Sequence, residues 1–558
     1  MHVDPHDLPE EILDGFPLSH GIAIGEGYML ESLSLETPYY PIAFEAISLE
    51  IERFNRACAK AQKQISKLQT KAETLPSEAA DDIVMLLDLH LALVKESRLT
   101  KGVRERIKNT RINAEAAVQQ EIAELGKPFD EMEDSYIAGR VKDLEDVGRR
   151  LIRNLLERKY VALKSVPMGG IILSEEITPA DTAFMHPDKI GGFVTMVGGK
   201  QSHTAILARS LRLPAVAGIP HMPHHLQEGS IVIIDGTEGR IVVNPTDATL
   251  DAYRKKREAD HAYRQRLLSR AQEPAITKDG TRIAIEANFS SPDDMERILN
   301  SGAEGIGLVR TEFMFIGRED IPSAQEQYDT LSAIVLAMNG KPLTIRTLDV
   351  GGDKISHAIQ GRVLQEQNPA LGLRGIRLTL AMPDLLIAQC TALLRVAALG
   401  NVRILLPMVT NVDEVRQFRR ILAETATRLQ AEKVTIGPVD GIGVMVETPA
   451  VAILADSFAQ EADFFSIGTN DLVQYTLAVD RGNEAVAKLF DSGHPAIRKL
   501  IEGTAEAGRR RGIPVTVCGE IAGDPNFTDF LIRSGVRALS MPASTVPLIK
   551  ERVRNLMI

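Results

Sequence analysis

The spacing of apolar positions changes character several times along this chain. From residue 43 to about 158 they recur at helical period in a background of Ala, Leu, Glu, Lys and Arg, and glycine nearly vanishes. The pattern predicts amphipathic bundle helices at 49–71, 79–95, 114–125 and 141–156, with breaks at Pro76 and Pro128, because proline removes a helix donor. Before this stretch, Ser19-His20-Gly21-Ile22-Ala23-Ile24-Gly25 reads as a strand between glycines. After it come short apolar runs at 170–173, 192–197 and 230–235, with a helix near Thr204 to Leu211 among them. These periods predict an α/β domain made of 18–40 and 160–246, interrupted by a helical domain at 41–159. A charged helix at 248–273, ending at Pro274, reads as a linker occupying 247–274.

Beyond it, from 275 to 558, eight β-like runs alternate with helical segments, at 283–287, 305–309, 343–347, 402–407, 443–447, 464–468, 514–518 and 538–541. Eight such units predict a (β/α)8 TIM barrel, in which reactive groups gather where the strands end. Polar groups do stand there: Arg310, Arg346, Glu447, Asn470, Asp471 and Cys518 each end or follow an apolar run.

Two arginine forks on one barrel face suit bidentate binding of phosphate or carboxylate, although each could instead pair with a barrel carboxylate. Glu447 and Asp471 supply two carboxylates on neighbouring strands, the usual protein share of a Mg²⁺ site, or else they accept loop amides. Arg481, on the loop after Asp471, could reach the same anion. Cys518 is either a thiol placed for proton donation or inert core. Cys58 and Cys390 fall on predicted helices and read as core.

In the first half, Gly198-Gly199-Lys200-Gln201-Ser202-His203 leads into the helix from Thr204. An anion bonded to His203 would face free N–H groups and the positive end of a helix dipole, which suits a phosphoryl group. A Ser-His pair before a helix is also an ordinary N-cap.

Composition narrows the function class. With 44% hydrophobic and 25% charged residues in 558, the chain has ample core for two or three domains. A net charge of −11 argues against a nucleic-acid footprint. Three scattered cysteines make neither a zinc site nor a disulfide framework. The acidic, proline-containing start lacks the pattern of a signal peptide, no apolar run reaches a membrane span, and the expectation is a cytoplasmic protein.

The His203 segment and the runs Gly305 to Phe313, Arg346 to Lys354, Gly443 to Pro449, Ser466 to Tyr475 and Cys518 to Asp524 together resemble Enzyme I of the phosphoenolpyruvate:sugar phosphotransferase system. The likeness covers nearly the whole chain in one order. It implies a phosphohistidine domain with an inserted docking domain for an HPr-like phosphocarrier, then a barrel that binds phosphoenolpyruvate (PEP) and dimerises. By the same resemblance His203 carries the phosphoryl group, Thr182 contacts it, Arg310, Arg346, Arg374, Asn470, Asp471 and Arg481 bind substrate, Glu447 and Asp471 hold Mg²⁺, and Cys518 donates a proton. The linker helix would be the pivot that brings His203 to the barrel and away again. The chain departs from the family at Lys200-Gln201, where Arg-Thr is usual, at Ser19-His20-Gly21, where Ser-Pro-Gly is usual, and in a docking helix made less acidic by Lys95 and Arg98. The family also generally continues with more helix after the last strand. A dikinase would need a nucleotide-binding domain, and the chain has no phosphate-binding Gly-x-x-x-x-Gly-Lys-Ser/Thr loop. A PEP-sensing regulatory protein that does not turn over is the alternative.

Overall fold

The structure is a computed structural model that describes all residues except 1–7, 30–37, 73–86, 96, 131–134, 157–165, 176, 178–188, 198–207, 209–212, 228, 316–317, 319, 351–367, 481–485 and 487–488. Thr182, Lys200, Gln201, His203 and Arg481 therefore lie outside the described residues, as does Pro76. The chain divides into two units, Met1–Ala262 and Tyr263–Ile558.

The first unit holds an eight-stranded sheet: β1 (Glu11–Asp14), β2 (Phe16–Ser19), β3 (Ile22–Met29), β4 (Gly170–Ser174), β5 (Ile190–Thr195), β6 (Ala215–Ala217), β7 (Ile231–Asp235) and β8 (Arg240–Val243). Their order is β1-β8-β7-β3-β4-β5-β6-β2, so both edge strands come from the first twenty residues. Only Gly15 joins them, and the sheet must curl until its two edges meet. A side chain at Gly15 would bring Cβ to 2.5 Å from the Ala217 carbonyl oxygen, which is why the joint is glycine. The strand expected near Ile22 is β3; β1 and β2 were not expected.

Between β3 and β4 run helices Ile47–Ala72, Arg98–Thr110, Ala114–Asp130 and Ser135–Leu155. The Arg98–Thr110 helix, missing from the sequence reading, begins with a capping box in which Ser97 accepts the Thr100 N–H. The break expected at Pro128 does not occur, since the helix continues to Asp130. Proline within two residues of a helix end leaves nearly all of the preceding hydrogen bonds intact. One apolar cluster runs from Phe54, Ile65, Val103, Val118 and Leu151 of the helices to Ile172, Phe193 and Ala215 of the sheet. The bundle thus covers one face of the sheet instead of standing apart from it. The helix after β8 spans Asp247–Ser269 and shows one buried residue, Leu267, in keeping with its high charge.

The second unit is a closed barrel of parallel strands: β9 (Ala284–Phe289), β10 (Ile306–Val309), β11 (Leu343–Arg346), β12 (Val402–Leu406), β13 (Ile442–Val446), β14 (Phe464–Ile467), β15 (Val515–Val517) and β16 (Ala538–Met541). β16 pairs with β9, from Ala538 with Ala284 to Met541 with Ala287, and this pairing closes the ring. Side chains alternate along each strand. Ile404 and Leu406, Val444 and Val446, Phe465 and Ile467 face the outer layer of helices in one large core. Leu405, Met445 and Phe464 point the other way and, with Leu308 and Cys518, fill the barrel interior. That plug is the floor on which the polar groups of the C-terminal end stand.

Candidate functional site

Each polar group at the C-terminal end of the barrel is placed by the strand it follows. Arg346 ends β11, and Thr311 donates its hydroxyl to the Arg346 carbonyl oxygen at 3.0 Å. Gln389 ties both neighbours together, donating to Thr311 Oγ1 at 3.3 Å and accepting the Leu348 N–H at 3.0 Å. The guanidinium lies 3.2 Å from Glu312 and 2.9 Å from Asp349. Asp349 also lies 3.1 Å from Arg374, whose fork reaches Tyr475 at 3.1 Å and Asp471 at 3.6 Å. The Tyr475 hydroxyl donates to the Ala370 carbonyl oxygen, which anchors this corner. Burial works against the charges on Arg346 and Arg374, but the surrounding carboxylates outweigh it and raise the pKa of both. Burial likewise opposes ionisation of Asp349, yet Arg346 and Arg374 hold its carboxyl below the ordinary range.

Glu447 is different. It follows β13 directly and is fully buried. Its Oε1 accepts the Met408 N–H at 2.6 Å, while its Oε2 has no hydrogen-bond partner among the described residues. Met408 supplies that donor from a left-handed backbone, φ +57°, a conformation that costs a non-glycine residue about 1–2 kcal/mol. Next along the chain from β14, Gly468 leaves room beside the carboxylate: a Cβ there would sit 3.0 Å from Glu447 Oε2. Burial first, then the charges of Asp349 and Asp471, push the Glu447 carboxyl well above the usual range. One oxygen each from Asp349, Glu447 and Asp471 lies within 4.8 Å of the others. Three carboxylates so close, one of them with an unsatisfied buried oxygen, form a cluster that fits a hard divalent cation with oxygen ligands.

Cys518 follows β15 and lies at the floor of the site, 2% exposed. Its backbone N–H donates to the Ile467 carbonyl oxygen at 3.1 Å, and Asn288 donates to its own carbonyl oxygen at 3.2 Å. Burial pushes the thiol up to about 11, so at neutral pH it carries its proton. Such a thiol is an acid in waiting rather than a nucleophile.

Arg310 follows β10, is half-buried and finds no carboxylate partner among the described residues. Its charge reaches both Asp349 and Cys518. A guanidinium placed this way is available to an incoming anion. Asn470 is held in a reciprocal pair with Glu520, its amide donating at 3.1 Å and its oxygen accepting the Glu520 N–H at 3.1 Å. The described barrel residues singled out from the sequence, Arg310, Arg346, Arg374, Glu447, Asn470, Asp471 and Cys518, therefore all lie at the C-terminal end of one barrel, whereas His203 and Arg481 are not described. Sequence reasoning missed Asp349, Glu312, Tyr475 and Met408. Asp349 was legible, three residues beyond Arg346 in the run Arg-Thr-Leu-Asp.

Among the described residues no helix is long and apolar enough to cross a membrane. Three family models match the chain: the PEP-utilising enzyme PEP-binding domain over residues 264–558, the PEP-utilising enzyme N-terminal region over 14–140, and the PEP-utilising enzyme mobile domain over 166–239. The chain is 37% identical over 549 residues to the phosphoenolpyruvate-protein phosphotransferase of Bacillus sp. (strain S), covering 98% of this chain and 94% of the relative. It is 38% identical, with the same coverage, to the protein of that name from Geobacillus stearothermophilus. An NMR solution structure of Enzyme I (nEIt) is 34% identical, covers 45% of this chain and 99% of its own, and superposes with a TM-score of 0.40.

Proposed function

From the premise that this chain belongs to the PEP-utilising enzyme family, we propose that it is a phosphoenolpyruvate-protein phosphotransferase. It moves the phosphoryl group of PEP to His203 and then to an HPr-like phosphocarrier, releasing pyruvate. The observation that carries the reading is the largely buried carboxylate cluster with its arginines, at the same end of the barrel as the buried Cys518 thiol.

In this reading PEP enters with its phosphate and carboxylate facing Arg310 and Arg346, joined by Arg374, Asn470 and Arg481. Glu447, Asp471 and Asp349 would hold Mg²⁺. The ion, when bound, neutralises phosphate charge. Neutral His203 attacks phosphorus in line, so a P–N bond forms as the P–O bond to the enol oxygen breaks; such transfer is mostly positioning and electrostatics. The enolate left behind takes a proton on its methylene carbon from Cys518, giving pyruvate, and solvent reprotonates the thiolate. Arg346 and Arg374 keep Asp349 ionised throughout, and the hydrophobic floor of Leu308, Leu405, Met445 and Phe464 keeps water from below the reacting carbon.

Giving the purified chain labelled PEP and Mg²⁺ tests this directly. Acid-labile label on protein, with pyruvate released in equal amount, is the expected result. Tight PEP binding without label or pyruvate would instead identify a sensor. If Cys518 is the acid, Cys518→Ser is expected to slow pyruvate release about 100-fold or more while leaving the dissociation constant of PEP nearly unchanged. An unchanged rate would remove the thiol from the mechanism.

A further inference from the structure

Far along the chain from the barrel site, two imidazoles and a carboxylate meet at one edge of the first unit's sheet. Glu11 opens β1, and His221 and His224 stand in the connection between β6 and β7. One ligand atom from each lies within 4.8 Å of the others. The two rings stack at 4.3 Å between centroids with 25° between planes. Glu11 is only 14% exposed in its side chain, accepts the backbone N–H of His224 at 2.9 Å, and holds its other oxygen 3.8 Å from His221 Nδ1. That nitrogen also lies 3.1 Å from the Met222 carbonyl oxygen, an acceptor able to fix the ring's tautomer.

The connection is held in place independently of any ligand. Met222 and Leu226 pack on the apolar cluster of Leu13, Val232, Ile234 and Ile241, and Pro223 between the histidines is buried. Asn244 donates to the His225 carbonyl oxygen at 2.9 Å. In the sequence His-Met-Pro-His the apolar pair turns inward, which leaves both imidazoles beside Glu11. We propose that Glu11, His221 and His224 bind one borderline divalent transition-metal ion of the zinc or cobalt class. Two imidazoles and one carboxylate match that chemistry, with a fourth position left for water, whereas the oxygen-only cluster of the barrel suits Mg²⁺. The ion ties the edge strand β1 to the β6–β7 connection and thereby stabilises the sheet.

The test uses the full chain without an affinity tag, with excess Mg²⁺ present so that the barrel carboxylates are occupied. Co²⁺ titration, followed by visible absorption and calorimetry, is expected to show one bound ion. His221→Ala/His224→Ala is expected to weaken it at least about 100-fold, and Glu11→Gln, which preserves shape, about tenfold or more. Zn²⁺ should raise the melting temperature of the parent and not of the double variant. Equal Co²⁺ affinity in the parent and a natively folded double variant, or no Co²⁺ bound by the parent under excess Mg²⁺, would overturn the proposal. Should the double variant fail to fold, unchanged binding in Glu11→Gln and in His224→Ala would overturn it equally.

Discussion

A His203→Ala chain is expected to take no acid-labile label from PEP and yet to bind PEP within about twofold of the parent. The separation follows from where the binding groups come from. Arg310, Arg346, Asp349, Arg374, Glu447, Asp471 and Cys518 all belong to the unit Tyr263–Ile558, on a barrel closed by its own β16–β9 pairing. Its apolar cluster is made entirely of residues from 275 onward. Among the described residues every group named at the site belongs to this unit, so removing an imidazole of the other half is expected to leave the ground-state site whole. An interaction made only as the phosphoryl group transfers lowers the rate without touching affinity. Calorimetry with PEP and Mg²⁺ beside the labelling assay reads both quantities. Label that persists would mean that another residue is the nucleophile. A collapse in affinity would mean that His203 helps to build the substrate site itself.

The two halves of the chain were unequally legible in the sequence, for physical reasons. Most barrel strands are short, mainly apolar runs, such as Ile-Gly-Leu-Val before Arg310 and Ile-Gly-Val-Met-Val before Glu447, as expected of parallel strands buried on both faces. The expected runs and the observed strands accordingly agree to within two residues at each end, and 538–541 agrees outright. In the first unit the edge strands β1 and β2 carry exposed Ile12 and Phe16 beside acidic residues and a proline. An edge strand needs no continuous apolar run, so Glu-Ile-Leu-Asp and Phe-Pro-Leu-Ser gave no clear signal. The helix Arg98–Thr110 is similarly quiet, with only Leu99, Thr100, Val103 and Ile107 buried in thirteen residues. At the site, residue types at strand ends pointed to the right barrel face, but not to which carboxylate does what. Asp349 and Glu447 are both buried acids after apolar strands. What separates them is the arginine pair on Asp349 and the single backbone amide on Glu447, a difference of three-dimensional placement that no local pattern carries.

That difference predicts a trade between stability and activity in Glu447→Gln. A carboxyl whose folded pKa is raised contributes stability that is fully present below its ordinary pKa and is lost as pH rises through the folded value. For Glu447, buried and facing Asp349 and Asp471, the fold without a divalent cation should therefore weaken as pH climbs from the usual carboxylate range upward. Asp349 has the opposite sign, since its lowered pKa gives stability that is lost only toward acid. The difference in melting temperature between variant and parent reads the Glu447 titration together with its coupling to Asp349. Glutamine keeps an oxygen to accept the Met408 N–H and brings an amide that can donate to the neighbouring carboxylates, so it relieves the unsatisfied position without ionising. In chelator the variant is expected to melt above the parent by a margin that widens from pH 5 to pH 8. Added Mg²⁺ should raise the parent and close that gap, because a cation offsets the repulsion that glutamine removes. The same substitution should slow pyruvate release about 100-fold or more, since the carboxylate that destabilises the empty fold is the one that holds charge for the reaction. A variant that melts no higher than the parent at pH 8 in chelator would show that Glu447 is already compensated. A variant that is stabilised yet fully active would place the cation elsewhere.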